Sequence, residues 1–297
     1  MRAPYRFQFF AMGTQCELQL YARNESAVAA AAQRAIDEVL RIEARYSRYR
    51  TDSVLSAINR IAAQGSALAV DEETAQLLDY AYGCHEKSAG LFDISSGVLR
   101  RAWDFSADRL PDQDQIDALL PLVGLDKIRW ERPYLSFAVP GMEIDFGGIA
   151  KEYAADQAAA ACAAAGIEHG LVELGGDIKV IGPHPDLQPW HVGIRHPRQP
   201  DAAMTTVAIM RGAIAGSGDY ERYLVAGGTR YCHILDPRTG WPVRGLSCVS
   251  VVTGQCLVAG SIATIAMLKG DAGKQWLTNL GVAHVWMDEA GNMNSRN

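Results

Sequence analysis

Between Arg230 and Gly240 the chain reads Arg-Tyr-Cys-His-Ile-Leu-Asp-Pro-Arg-Thr-Gly, which gathers an imidazole, a carboxylate and two guanidiniums. Alternation of Tyr231, His233 and Leu235 predicts a strand. Asp236-Pro237-Arg238-Thr239-Gly240 predicts a tight turn, because Pro237 fixes φ and Gly240 accepts a positive φ. A histidine at the end of a rigid strand, beside a polar turn, suits acid–base chemistry or the clamping of an anion. The plain alternative is a strand histidine satisfied by a backbone carbonyl.

A second stretch, Asp145-Phe-Gly-Gly-Ile-Ala-Lys151, places two glycines between a predicted short strand (142–145) and a helix start. There a ligand can approach the backbone, and the unpaired N–H groups of the first helical turn favour an anion. Lys151 falls in that first turn, where the helix dipole disfavours a cation unless something anionic sits between. A plain turn with a solvated lysine is the other reading, and the full Walker A pattern is missing.

Three further segments carry polar chemistry. Leu174-Gly-Gly-Asp177 predicts a hairpin turn. Gly216-Ser-Gly-Asp-Tyr-Glu-Arg-Tyr223 offers backbone amides and the flat rings of Tyr220 and Tyr223, or is a surface loop. Ser47-Arg-Tyr-Arg-Thr-Asp-Ser53 suits stacking on a ring system, or is an exposed helix end. A Ser–His–Asp hydrolase built from Ser217, His233 and Asp236 or Asp219 lacks a G-x-S-x-G elbow.

The elements that must position these groups mix without a βαβ rhythm. Helices are expected at 26–45, with Ser26 as cap, and at 71–88, 149–165, 256–268 and 271–280. Strands are expected at 17–21, 170–174, 178–181, 191–194, 205–209, 248–253 and 283–287. Residues 103–115 are loop-rich around Pro111. An α+β architecture with largely antiparallel sheets and flanking helices fits this order.

The 297 residues are 48% hydrophobic and 21% charged, with a formal net charge of -6, which gives no electrostatic footprint for nucleic acid. Six cysteines without a C-x-x-C pair exclude zinc-ribbon and thioredoxin-type motifs. No apolar stretch of signal-peptide length opens the chain and no run is long enough for membrane insertion, so the expectation is a reduced, cytoplasmic protein.

In chain order, Met12-Gly-Thr14, Ser47–Ser53 with Asn59, Gly90-Leu-Phe-Asp-Ile94, Asp145–Lys151, Leu174–Asp177, Ser217–Tyr223 and His233–Gly240 together resemble the ApbE-like family of FAD:protein FMN transferases. The resemblance implies one flavin-binding domain over residues 1–297, with no sub-domain boundary that can be placed. It implies that a Thr or Ser hydroxyl of a target flavoprotein attacks the FMN phosphorus of FAD, releasing AMP. Carried across residue by residue, Met12, Tyr49, Leu91, Phe92 and Asp93 would line the FAD site. Asp145 and Lys151 would hold the nucleotide, and His233 with Ile234 would close over it. His233 is the expected catalytic group, with Asp236 orienting it or serving the Pro237 turn instead.

The family's Mg²⁺ site rests partly on a helix pattern Ala-Asp-Ala-x-Ala-Thr, whereas this chain reads Ala259-Gly-Ser-Ile-Ala-Thr264. Thr264 and a backbone carbonyl near Gly148 remain, but Gly260 stands at the carboxylate position. Glu152 replaces the usual glycine after Lys151, Gly216 the common threonine, and Ser95-Ser-Gly-Val-Leu99 the usual Thr-Val-Gly-Pro-Leu. Two readings follow: a transferase with a weakened metal site, or a non-catalytic or weakly FAD-hydrolysing flavin-binding paralogue. If the lost carboxylate limits catalysis, Gly260→Asp should raise Mg²⁺ affinity and transfer together.

Overall fold

The computed structural model describes residues 3–107 and 109–296. The outer bounds of the 1–297 reading, and Asp108 within the expected 103–115 loop, lie outside these residues. Strand β1 (Tyr5–Ala11) and strand β2 (Thr14–Tyr21) pair antiparallel with Ala11 opposite Thr14. Their two-residue turn puts both Met12 (φ 55°) and Gly13 (φ 72°) in the left-handed region, as a hairpin turn matched to strand twist requires.

Helix α1 (Glu25–Tyr46) buries Val28, Ala31, Ala32, Ala35, Val39 and Ile42 along one stripe. Its cap is Asn24 rather than Ser26, because Asn24 Oδ1 accepts from the N–H groups of Ser26 (2.9 Å) and Ala27 (3.4 Å). Ser53 caps α2 (Val54–Ala62) and Asp71 caps α3 (Glu72–Ser88), each accepting a backbone N–H three residues on. Between them lies β3 (Ala67–Ala69), which pairs with β5 (Tyr134–Phe137), itself paired with β4 (Ile128–Glu131). The 103–115 stretch is loop until α4 (Gln113–Leu119) begins. Met142 to Asp145 joins no ladder, so the strand expected there does not form.

After α5 (Ala150–Ala164) come the paired strands β6 (His169–Leu174) and β7 (Asp177–Gly182). A long hairpin, β8 (Trp190–His196) and β9 (Gln199–Ile209), precedes β10 (Gly212–Gly218). The small ribbon of β11 (Tyr223–Ala226) and β12 (Thr229–Cys232) leads to β13 (Leu246–Thr253). Helices α6 (Cys256–Leu268) and α7 (Asp271–Leu280) and strands β14 (Ala283–Asp288) and β15 (Met293–Arg296) complete the chain. Gly216 to Gly218 therefore lie in a strand, not in a surface loop.

The main sheet has the order β1-β2-β6-β7-β10-β13-β14-β15, antiparallel at every pairing. Period-two alternation gives it two apolar faces. Leu18, Val172, Leu174, Ala213, Ala215 and Val249 share a core with α1, α5 and α6. On the opposite face Leu171, Val180, Ile194, Ile209, Ile214 and Val285 form smaller clusters under the β8–β9 hairpin. Helix α5 packs against α1, α6, β6 and β7 at once, and its small alanine side chains let these elements approach closely. Among the described residues no helix is long and apolar enough to cross a membrane.

Candidate functional site

A cavity of about 1080 Å³ opens where the start of α5, the middle of α6, the β1–β2 turn and the segment after β12 converge. That exceeds the usual small-molecule pocket of about 300–1,000 Å³ and leaves room for an extended ligand.

His233 lies on its wall, one residue beyond the end of β12, so the predicted strand stops short of it. Only Leu235 regains a bridge, to Pro242. The histidine backbone N–H donates to the Arg222 carbonyl (3.0 Å), and Nδ1 lies 3.1 Å from that same oxygen. A carbonyl only accepts, so Nδ1 carries the proton and Nε2 keeps its lone pair. Burial, with the Arg100 and Arg222 charges, lowers the imidazole pKa to about 4. The ring is thus neutral near pH 7.

In the folded protein the His233 ring should titrate near pH 4, while the unfolded chain takes up that proton near pH 6.5. The unfolded state binds more protons between these values, so His233 costs stability as pH falls through that window. Histidine-selective NMR tests this, and a midpoint near 6.5 would refute it.

Asp236 turns away from this role. Its carboxylate accepts the Arg238 backbone N–H (2.9 Å) and pairs with the Arg238 guanidinium (2.7 Å), closing the Pro237 turn. Asp219 pairs with Arg198 (2.6 Å). Neither carboxylate serves His233, so the hydrolase constellation is absent.

The start of α5 has no side-chain cap; the Ala150 N–H donates to the Phe146 carbonyl (2.8 Å), which leaves the N–H groups of Lys151 and Glu152 as the first-turn donors for an anion. Lys151 does have an anionic neighbour, but it is a protein group: Nζ pairs with Asp177 Oδ2 at the foot of the β6–β7 hairpin. Burial alone would lower the lysine pKa, yet Asp177 and Glu152 hold it well above its ordinary value. Asp177 Oδ1 accepts the Gly216 N–H at 3.0 Å, tying helix, hairpin and β10 together. The hairpin turn expected at Gly175 and Gly176 is present, both with positive φ. Glu152, 7% exposed, also lines the cavity, and its Oε2 has no hydrogen-bond partner. Desolvation raises its pKa, opposed by Lys151 and reinforced by Asp177.

On the other walls, Met12 is held in its left-handed conformation by Glu43, which accepts its N–H at 2.7 Å. Leu91, Phe92 and Ile234 are buried lining residues, while Tyr49 (81% exposed) and Phe10 (64% exposed) stand at the rim. Asp93 is also on the wall, but its carboxylate is committed to the Ser95 N–H (2.8 Å), the Ser95 hydroxyl (2.6 Å) and the Leu125 N–H (2.9 Å). It scaffolds the loop instead of offering a free acceptor. Asp145 binds Arg48 (2.8 Å) and the Gly147 N–H (2.7 Å), and Gly97 packs so close that a Cβ there would lie 2.5 Å from Asp145 Cβ. Of the two tyrosines offered for stacking, Tyr220 lines the cavity; Tyr223 instead lies beneath Arg230 (3.8 Å).

Gly148 and Thr264 both line the cavity. Among the described residues there is no group of three or more His, Cys, Asp or Glu that could hold a metal. Gly260 is not open space: a Cβ there would lie 2.6 Å from Glu152 Cγ and 3.0 Å from its Cδ and Oε1. The expected gain from Gly260→Asp alone therefore meets a steric obstacle. Reading the sequence missed Glu43 and Arg100 as lining groups and the pairing of Lys151 with Asp177. No local pattern carries these, because each depends on strands or helices distant in the chain.

A sequence model described as the ApbE family matches residues 12–286. The chain is 31% identical over 268 residues to a FAD:protein FMN transferase of Vibrio cholerae, covering 88% of this chain and 80% of that one. It is 31% identical over 281 residues to the Treponema pallidum FAD:protein FMN transferase, covering 87% and 77%. The ApbE protein of Thermotoga maritima superimposes with a TM-score of 0.89 at 31% identity, over 99% of this chain and 97% of that one. The apo flavinyl transferase ApbE of Pseudomonas stutzeri gives a TM-score of 0.88 at 27% identity, over 99% and 95%.

Proposed function

The chain belongs to the ApbE family, and on that premise we propose that it moves the FMN moiety of FAD onto a Thr or Ser hydroxyl of a target flavoprotein. The observation that carries this reading is the neutral His233, with Nε2 free, in the same cavity as the uncapped start of α5. In this reaction the hydroxyl oxygen bonds to the FMN phosphorus while the bond from phosphorus to the AMP oxygen breaks. His233 Nε2 takes the hydroxyl proton, and AMP leaves with the electron pair. Phosphoryl transfer asks a protein mainly for position and charge compensation. The N–H groups of Lys151 and Glu152 in the first turn of α5 would offer dipoles to the diphosphate, and Tyr49, Phe92 and Tyr220 on the cavity walls would offer ring surfaces.

Magnesium belongs to the same proposal: the Thr264 hydroxyl and the Gly148 carbonyl, both on the cavity wall, would hold it. When bound, it would supply positive charge beside the phosphate. The alternative of a flavin-binding paralogue without transfer is not favoured. Its basis was the missing carboxylate at position 260, and the cavity contains another buried one. The six cysteines, all buried and unpaired, support a reducing, cytoplasmic setting.

Intact-mass analysis tests the reading. A Thr-containing target incubated with the protein, FAD and Mg²⁺ should gain the mass of one FMN phosphoester, with stoichiometric AMP. AMP and free FMN without a labelled target would indicate hydrolysis and overturn it.

A further inference from the structure

The structure assigns the carboxylate of a divalent-cation site to Glu152, whose side chain runs from α5 against Gly260 of α6 and fills the volume a side chain there would take. The assignment rests on the reading of the cavity as a nucleotide site and goes beyond it in naming the cation's charged protein ligand. Three observations support it. First, Glu152 is 7% exposed, lines the cavity together with Gly148 and Thr264, and its Oε2 has no partner. A buried carboxylate oxygen without a donor is costly unless a cation or hydrogen bond satisfies it.

Second, local charge does not balance. One ammonium, Lys151, faces two carboxylates, and Asp177 already takes it as an ion pair while using its other oxygen on Gly216. Glu152 Oε1 stands farther off, at 3.8 Å from Nζ. Glu152 lines the same cavity as the Gly148 carbonyl and the Thr264 hydroxyl, and hard oxygen donors of this kind suit Mg²⁺ or Mn²⁺.

Third, the packing is reciprocal. A side chain at 260 would run into Glu152 Cγ at 2.6 Å, so the two positions compete for one volume and a carboxylate at 260 would displace that of Glu152. Thr264 is one helical turn beyond Gly260 on the same face, which brings its hydroxyl toward that shared volume. With few protein ligands, the site takes its cation together with phosphate oxygens, in keeping with the absence of a three-ligand cluster among the described residues.

Mn²⁺ serves as the probe, its free signal followed by electron paramagnetic resonance in the full-length protein with FAD present. Glu152→Gln should weaken Mn²⁺ binding about 10- to 100-fold. FAD affinity, measured separately by calorimetry without metal, should stay within about threefold, since the lost charge serves the cation. The metal-free melting temperature should not fall, because Gln removes an uncompensated buried charge, whereas the rise on adding Mn²⁺ should vanish. Gly260→Asp alone should bind no tighter than the parent, and the exchange Glu152→Gly with Gly260→Asp should recover most of the affinity. Parent-like Mn²⁺ binding by Glu152→Gln overturns the assignment, as does a folded exchange variant that binds no better than Glu152→Gln. Neither measurement depends on FMN transfer, so failure of the transferase reading would show separately in the mass assay.

Discussion

Replacing His233 by alanine should lower FMN transfer by about 10²- to 10⁴-fold. FAD affinity should change by less than about threefold, because only a proton acceptor in the transition state is removed. The imidazole is set up as an acceptor by two features acting together. The Arg222 carbonyl fixes the proton on Nδ1 at 3.1 Å, and burial beside Arg100 and Arg222 keeps the ring uncharged near pH 7. A group of that kind contributes when the attacking hydroxyl loses its proton and little to ground-state binding, so kcat and kcat/KM should fall together. Paired measurements of transfer rate and FAD affinity decide the matter. If the variant retains transfer but loses FAD, His233 is a binding group and another residue accepts the proton.

The second large effect concerns stability. Asp177→Ala removes the close partner of the half-buried Lys151 ammonium and the acceptor for the Gly216 N–H. Breaking a buried pair from one side typically costs about 3–5 kcal/mol. The lower end is expected here, because Glu152 Oε1, 3.8 Å from Nζ, can take over part of the pairing. At about 2–4 °C per kcal/mol the melting temperature should drop by roughly 6–12 °C. Asp177→Asn keeps an oxygen for Gly216 and should recover part of that loss. A melt within about 2 °C of the parent would contradict the knot described at the foot of the β6–β7 hairpin.

Much of the framework could be read from the residues alone. The apolar pattern located α6 and α7 with their observed ends, and Gly175-Gly176 forms the hairpin turn that its dipeptide favours. Motif order along the chain identified the family and brought His233, Lys151, Phe92 and Met12 to one cavity. Failures arose where a residue answers to a distant neighbour. Met142 to Asp145 has strand-like composition but no ladder, since Ile144 is held instead by the Asn59 side chain, whose Oδ1 accepts its N–H at 2.8 Å. Gly216 to Gly218 looked like a loop because glycines weaken strand propensity, yet β13 pairs with that segment, with Gly216 opposite Ser250 and Gly218 opposite Cys248. Lys151 appeared to need a ligand anion because Asp177 is 26 residues away. Gly260 and Glu152 appeared as two separate oddities until the packing of α5 on α6 brought them into contact.

The N-terminus of α6 is clasped to α5. Asp156, on α5, accepts the N–H groups of Cys256 (2.9 Å) and Leu257 (3.0 Å), and Lys179 lies 3.4 Å from the same carboxylate. This clasp fixes the spacing of the two helices before any nucleotide arrives. Preorganisation of that kind lowers the entropic penalty of association, because fewer side chains and helix positions remain to be ordered.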